Sequence, residues 1–221
     1  MIRPPGVLAE GEVSVRISES KSTEGFLAVP EESSGIVVFA HGSGSGRHSP
    51  RNRLVADRLN GSGLATLLFD LLTDSEEETD RVTGEYRFDI GLLSARVGRA
   101  CRWTRDNRVT KKMGIGVFGA STGAAAAIIA AAENPGIAGA VVSRGGRVDL
   151  AGEALEKLRC PALFIVGGRD HFVKELNARA MRRINAPAEM VEIPGASHLF
   201  EEPGALEEVA DRAGEWFMKH L

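Results

Sequence analysis

Hydrophobic residues along the chain form short continuous runs that alternate with longer periodic stretches. EVSVRIS (12–18) alternates between polar and apolar positions, and GFLAV (25–29) follows closely, so the two predict an antiparallel opening hairpin. The later runs are apolar throughout, which is typical of strands buried on both faces of a parallel sheet. These six predicted strands are GIVVFA (35–40), ATLLFD (65–70), GIGVFG (114–119), AGAVVS (138–143), ALFIVG (162–167) and AEMVEI (188–193).

Helical patterns fill the segments between the predicted strands. Ser49 and Pro50 give an N-cap and a first-turn proline to RNRLVADRLN, and Gly61 marks where that helix should stop. Apolar faces also recur from Ile90 to Thr104 and from Leu206 to Phe217. An alanine-rich helix before Asn134-Pro135-Gly136 completes the set. The alternation predicts an α/β fold in one domain over 1–221, with a mostly parallel sheet of about eight strands, helices on both faces and no large lid domain.

Composition narrows the classes of protein and partner. The 221 residues are 43% hydrophobic and 26% charged, with a formal net charge of -3, which gives no reason to expect nucleic acid or an anionic membrane as a partner. The start of the chain does not resemble a signal peptide, and no apolar run reaches the roughly 18 residues that a membrane span needs. Cys101 and Cys160 are expected to act as small hydrophobes. A cytoplasmic protein is the expectation, and the oligomeric state is left open.

One serine lies at a strand-to-helix turn. In a parallel sheet the ligand site lies beyond the carboxyl ends of the strands, so residues with a chemical role should follow strands. Ser121, in GVFGASTGAAAA (116–127), follows GIGVF and precedes the alanine-rich helix. This G-x-S-x-G context is that of a nucleophile elbow, in which flanking glycines let strand and helix approach closely. Taken alone, the motif is equally compatible with a plain tight turn.

A nucleophilic serine requires a base that is itself oriented by an acid. His198, in the loop after the last predicted strand, is the best base among the five histidines. Asp170 directly follows the strand ALFIVG and is favoured over Asp149 as the acid, because Asp149 is well placed to cap a short helix around 154–158. Ser121, Asp170 and His198 then follow the chain order nucleophile, acid, base that is found in hydrolases with this elbow.

The segment HGSGSGRHSPRN (41–52) follows the strand GIVVFA. It lacks the lysine and the glycine spacing of a nucleotide-binding loop, so no cofactor is expected, and no metal site is expected either. As an oxyanion loop it would direct the backbone N–H of Ser43 at the reacting carbonyl, and Thr122 would supply the second N–H. His41 would then support the loop and would not act as the base. A flexible turn is the alternative.

These segments together resemble the α/β-hydrolase fold and, within it, the dienelactone-hydrolase-like group. The resemblance covers about residues 12–219 and is most specific in FAHGSGSGRHSPRNR, TGEYRFDIGLL, FGASTGAAAA, VSRGGRVDLA, VGGRD and GASHLFEEPGALEEVA. It implies Ser121 as nucleophile, Asp170 as acid and His198 as base, with the hole formed by Ser43 and Thr122. Dienelactone hydrolases proper carry a cysteine at the elbow, so the serine here favours ordinary ester or acyl transfer. Some similar bacterial proteins are joined to a phosphoribosyltransferase domain, which this chain is expected to lack.

The sequence therefore predicts a serine hydrolase that cleaves small carboxylic esters in an open cleft. Thioesterase, lactonase or acyltransferase activity with the same triad remains an alternative, as does a non-catalytic binding scaffold. The acidic run DSEEETD (74–80) follows the strand ATLLFD and is predicted to form a solvated loop on the same side of the sheet as the active site. Arg47, Arg51 and Arg144 fall in or near loops that follow strands, and we expect them to form salt bridges with nearby acids in preference to binding a carboxylate or phosphate.

Overall fold

Eight strands form one sheet in the computed structural model, which describes residues 6–221. They are β1 (Val7–Arg16), β2 (Ser22–Pro30), β3 (Gly35–Ala40), β4 (Leu64–Phe69), β5 (Gly114–Ala120), β6 (Ala140–Arg144), β7 (Ala162–Gly167) and β8 (Ala188–Ile193). Their order across the sheet is β1-β2-β4-β3-β5-β6-β7-β8. β2 runs antiparallel to both β1 and β4, and all the other neighbouring pairs are parallel. The predicted opening hairpin and mostly parallel sheet are confirmed.

Helices cover both faces of this sheet, as predicted. They are α1 (Pro50–Gly61), α2 (Asp74–Thr83), α3 (Ile90–Asp106), α4 (Thr122–Glu133), α5 (Ala154–Lys157), α6 (His171–Met181) and α7 (Ala205–His220), with a 3-10 turn at Val148–Ala151. Successive strand residues enter opposite cores: Val38 packs in the core that includes α3 and α4, and Val37 packs in the core that includes α1 and α7. This two-sided burial explains why the central strands are apolar at nearly every position.

The acidic segment 74–80 is a helix, so the prediction of a solvated loop was wrong. A reciprocal capping box begins α2: the Glu76 N–H donates to Thr73 Oγ1 at 3.4 Å, and the Thr73 N–H donates to Glu76 Oε2 at 2.9 Å. Asp74 and Glu77 lie in the first turn, where the positive end of the helix dipole stabilises their negative charges. Glu76 and Asp80 are buried because arginines compensate their charges: Arg96, 20 positions away, pairs with Glu76, and Arg87 pairs with Asp80. Thr73 and Glu76 match the T-x-x-E pattern of a capping box, which is easily overlooked in a segment so rich in acids.

A buried ion-pair cluster holds α2 against the body of the protein. Arg96 of α3 donates to both carboxylate oxygens of Glu76, at 2.7 and 2.8 Å, and also to the Leu71 carbonyl at 2.6 Å. Lys21, in the β1–β2 turn, reaches Glu76 Oε1 at 2.6 Å. Burial alone would raise the pKa of Glu76, but these hydrogen bonds, together with that from Thr73, lower the pKa to about 2. The cluster fixes α2 beside the loop that follows β3.

Three smaller expectations can also be assessed on the described residues. Cys101 is buried and Cys160 is partly buried, and both are free thiols packed with hydrophobic neighbours, as predicted. Asp149 does not cap α5, because its carboxylate is bound by Arg147 at 2.8 and 2.9 Å. None of the helices among residues 6–221 combines the length and the apolar character that crossing a membrane requires.

Candidate active site

Ser121 occupies a strained turn between β5 and α4. Its φ of 50° and ψ of -119° are unusual for a residue with a side chain. The turn is closed by close backbone contacts at both flanking glycines. A Cβ at Gly119 would lie 2.4 Å from Ala124 Cα, and one at Gly123 would lie 2.1 Å from the Ala40 carbonyl oxygen. Only glycine fits at these two positions, which explains why the G-x-S-x-G pattern has a glycine on each side of the serine.

Backbone hydrogen bonds tie this turn to the loop that follows β6. The Ser121 N–H donates to the Arg144 carbonyl at 3.1 Å, and the Ser121 carbonyl accepts from the Arg147 N–H at 3.0 Å and from the Ala124 N–H at 3.1 Å. The Ser121 hydroxyl makes no hydrogen bond to any other residue within 6–221. The strained backbone is therefore held from several sides, while the hydroxyl is left available to a substrate.

His198 and Asp170, the predicted base and acid, are in direct contact. His198 Nδ1 lies 2.6 Å from Asp170 Oδ2. Asp170 also caps α6, because its Oδ1 accepts from the Val173 N–H at 3.3 Å. This second bond fixes the carboxylate, and the carboxylate in turn favours the imidazole tautomer with the proton on Nδ1 and a free lone pair on Nε2. Asp149, the competing candidate, is instead paired with Arg147.

The loop after β6 lies between Ser121 and His198. Gly145 has a φ of +52°, and a Cβ there would lie 3.2 Å from the His198 carbonyl oxygen and 3.5 Å from His198 Cε1. The residue before it, Arg144, accepts the Ser121 N–H. Because β5, β6, β7 and β8 are consecutive in the sheet, the nucleophile, acid and base candidates all lie at its carboxyl edge. No hydrogen bond joins Ser121 Oγ to His198 in the part of the chain that the structure describes; such contacts commonly tighten only with substrate bound.

Glu202 is a supporting residue that the sequence did not single out. Its carboxylate accepts the Ser197 N–H at 3.0 Å and forms an ion pair with Arg169. The hydrogen bonds from Ser197, ahead of the other contributions, lower the pKa of Glu202 to about 2, so the carboxylate stays ionised. It thereby holds the residue next to His198. A glutamate four residues after the histidine looks like any exposed acid in the sequence, so no local signal could have identified it.

The loop after β3 packs directly against the elbow. A Cβ on Gly42 would lie 3.2 Å from Ser121 Cβ, so the absence of a side chain allows this close approach. His41 Nδ1 lies 3.0 Å from the Gly42 carbonyl, and His41 Nε2 accepts the Leu71 N–H at 3.0 Å. Burial lowers the pKa of His41, so the ring is neutral and is held at both nitrogens. His41 therefore supports the loop, as predicted, and has no nitrogen free for proton transfer.

The two predicted oxyanion donors differ in their present partners. The Ser43 N–H donates to Thr122 Oγ1 at 3.0 Å. The Thr122 N–H, at the first position of α4, has no acceptor among residues 6–221. One donor is therefore free, and the other is engaged by the Thr122 hydroxyl. Both belong to backbone beside Ser121, at the positive end of the α4 dipole.

A cavity of about 210 Å³ adjoins the loop after β3. Its apolar wall comprises Leu71, Leu72 and Leu93. Its polar wall carries both signs of charge: Asp70, Glu77 and Asp80 lie there with Arg81 and Arg87. The cavity is small, and α2 forms one side of it. The ion pairs of Glu76, which hold α2 in place, therefore also fix the shape of this cavity. No group of three potential metal-ligating side chains occurs within 6–221.

The three arginines near the site have different surroundings. Arg47 forms ion pairs with Asp70 and Glu24, and Arg51 lies 3.3 Å from Glu201, so these two form the expected salt bridges. Arg144 does not. Within 6–221 its side chain has no ion pair or hydrogen bond, and its Nη1 is buried without a partner.

Comparison with known proteins places the chain in a family. The model of the dienelactone hydrolase family matches residues 23–220. The chain belongs to the dienelactone hydrolase family. A crystal structure of dienelactone hydrolase from Anabaena variabilis is 52% identical, with a TM-score of 0.95 over 98% of this chain and 99% of that one. The predicted fold and family resemblance are confirmed.

Two further comparisons concern the fold and the length of related proteins. Est1E from Butyrivibrio proteoclasticus matches 95% of this chain and 98% of its own length with a TM-score of 0.78, and at 16% identity this likeness concerns the fold alone. Two Mycobacterium tuberculosis proteins, provisionally named as phosphoribosyl transferases, are 52% identical over 218 residues. The match covers 99% of this chain, which spans 48% of the length of these curated relatives.

Proposed function

We propose that this member of the dienelactone hydrolase family is a serine hydrolase that cleaves small carboxylic esters through an acyl-enzyme on Ser121. The observation that carries the proposal is the 2.6 Å contact between His198 Nδ1 and Asp170 Oδ2. A binding scaffold has no need of an imidazole oriented in this way. The strained elbow at Ser121 adds the third member of the triad, and the serine, in place of the cysteine of dienelactone hydrolases proper, favours an ordinary ester.

In the proposed reaction His198 Nε2 removes the hydroxyl proton while Ser121 Oγ attacks the ester carbonyl. Asp170 holds the imidazole and stabilises the imidazolium that forms. The carbonyl oxygen becomes an oxyanion bound by the N–H groups of Thr122 and Ser43. It replaces Thr122 Oγ1 as the acceptor of the Ser43 N–H, so the threonine hydroxyl must rotate away. Losing one such donor typically costs on the order of 100- to 1,000-fold in rate.

The second half of the reaction reverses these roles. His198 gives its proton to the alcohol as the ester C–O bond breaks. It then removes a proton from water while the water oxygen attacks the acyl carbonyl, and it returns this proton to Ser121 Oγ as the acyl–serine bond breaks and the carboxylic acid leaves. The cavity of about 210 Å³ beside the loop after β3 favours a small substituent on the substrate. Thioesters, lactones and acyl acceptors other than water would use the same groups, so parallel initial rates on ester, thioester and lactone panels rank these activities.

The experiment is the Ser121→Ala variant assayed with p-nitrophenyl acetate and with a fluorophosphonate probe. We expect a fall in kcat of more than about 1,000-fold, loss of labelling and an unchanged circular dichroism spectrum. Ser20→Ala, an exposed serine in the β1–β2 turn, is the matched control and should keep both activity and labelling. Undiminished hydrolysis by Ser121→Ala would rule out the nucleophile. Folded wild-type protein that neither hydrolyses nor labels would favour the binding scaffold.

A further inference from the structure

The positive charge of Arg144 has no ion-pair or hydrogen-bond partner within residues 6–221. Only 8% of the residue is exposed, and Nη1 is buried without a hydrogen-bond partner. Burial, and then repulsion from Arg51, lower the pKa of Arg144 to about 10, so the guanidinium remains charged at neutral pH. A buried charge is costly unless it is paired, and a cost that the fold does not offset points to a function.

The position of Arg144 in β6 places it beside the candidate nucleophile. Its carbonyl accepts the Ser121 N–H at 3.1 Å, and it is paired in register with Ala120, the residue before Ser121. Because strand residues alternate between faces, Arg144 shares the face of Val142, which packs in the core formed with α1 and α7. This face is opposite to that of α4.

The first turn of α1 contributes further unsatisfied polar atoms on the same face. Arg51 Nε and Asn52 Oδ1 are both buried without partners. Repulsion from Arg51 also lowers the pKa of Arg144, although Arg51 itself lies 3.3 Å from Glu201. An anion bound at Arg144 would relieve this repulsion. The N-terminus of α1 adds a positive dipole end at this place.

We propose that Arg144, assisted by Arg51, forms a subsite for an oxyanion of the substrate, so that the enzyme prefers esters carrying a carboxylate or phosphate group. The planar guanidinium of Arg144 presents two parallel N–H donors, which suit either group. This inference rests on the proposed esterase function. It names the substrate class that the triad alone does not specify.

Two substrates of nearly equal shape test the carboxylate form of the proposal. Mono-p-nitrophenyl succinate and p-nitrophenyl butyrate have four-carbon acyl groups that differ in a terminal carboxylate or methyl group. We expect kcat/KM to favour the succinate ester in the wild type. The ratio should fall about 10- to 100-fold in Arg144→Met, as for loss of a hydrogen bond to a charged group, and less in Arg144→Lys. Arg58→Met, which removes an exposed arginine paired with Asp211, is the control and should keep the wild-type ratio.

Inhibition by simple anions tests the phosphate form and needs no anionic ester. Inorganic phosphate and succinate are titrated against p-nitrophenyl butyrate hydrolysis, and the shift in melting temperature that each anion causes is measured in parallel. An effect of either anion that Arg144→Met abolishes supports the subsite and identifies the preferred group. The melting shift requires no turnover, so it still reports on the subsite if Ser121 proves not to be the nucleophile.

The stability of the variant separates binding from packing. Arg144→Met should unfold at the same temperature as the wild type or higher, because it replaces an unpaired buried charge with an apolar chain of similar length. The proposal is overturned if the succinate-to-butyrate ratio and both anion effects are unchanged in Arg144→Met. A lower melting temperature together with that result would assign Arg144 to packing.

Discussion

Replacement of Glu76 by glutamine tests whether a buried ion pair, and not helix propensity, fixes α2 beside the cleft. The glutamine keeps the size of the side chain but loses the charge that binds Arg96 and Lys21. Glu76 has a pKa of about 2 in the folded protein, against an ordinary value of 4.5. At about 1.4 kcal/mol for each pKa unit, this difference corresponds to about 3 kcal/mol of stability at neutral pH. Breaking a buried pair by removing one partner typically costs about 3–5 kcal/mol, which agrees.

The assay is thermal and urea unfolding of the wild type and Glu76→Gln. A loss of about 3 kcal/mol should lower the melting temperature by roughly 6–12 °C in a domain of this size. Because the folded-state pKa lies below the unfolded-state value, the carboxylate stabilises the fold above pH 4.5. This contribution is lost as the pH falls from 4.5 towards about 2. The difference in stability between the two proteins should therefore shrink over that interval.

The control is Glu78→Gln, which removes an exposed acid from the same helix and should change the stability by less than about 0.5 kcal/mol. A melting temperature for Glu76→Gln within about 2 °C of the wild type would refute the reasoning. So would a difference that persists undiminished at acid pH, because it would arise from packing and not from ionisation.

Two further substitutions test the triad and the elbow. Asp170→Asn should lower kcat for p-nitrophenyl acetate about 1,000- to 10,000-fold while keeping the melting temperature, since asparagine also caps helices; Asp149→Asn is the control, and less than tenfold loss for Asp170→Asn would contradict the triad. Gly123→Ala should destabilise the fold by more than about 3 kcal/mol in urea unfolding, because its methyl group would lie 2.1 Å from the Ala40 oxygen. Gly61→Ala, where nothing lies within 4 Å, should not destabilise, and equal stability of the two variants would show that the elbow is not closely packed.

The fold could be predicted because neighbouring residues along the chain specify each strand and helix. Each central strand is apolar throughout and each helix has its own periodicity or cap, so the alternation alone indicated a covered parallel sheet. The candidate triad followed from the same source, since a residue directly after a strand must lie at the carboxyl edge of the sheet. That rule and their order along the chain predicted Ser121, Asp170 and His198 as the triad. The contact between His198 and Asp170 spans 28 positions, and no local pattern specifies it.

The error at α2 has a definite physical origin. A run of acids looks solvated because an unpaired carboxylate avoids burial, and the nearest cation in the sequence, Arg81, pairs with Glu77 and not with Glu76. The cation that pairs with Glu76, Arg96, lies 20 positions away on α3. Burial of a charge depends on its partner, and the partner is brought near only by tertiary structure. The local signal that was available, a threonine three residues before a glutamate, indicates a capping box but does not indicate burial.

Arg144 is a charge for which the expected partner is absent within 6–221, in contrast to Glu76. Acidic residues are frequent in the segments predicted to form the site, so a salt bridge was expected for Arg47, Arg51 and Arg144. Arg47 and Arg51 form such salt bridges, because their side chains extend over loops that carry acids. Arg144 lies within a strand, with Ala120 and Ile165 as its neighbours in register, and neither can neutralise it. No acid within 6–221 pairs with the Arg144 side chain. The oxyanion of the proposed substrate would supply this missing counter-ion next to Ser121, whose N–H donates to the Arg144 carbonyl.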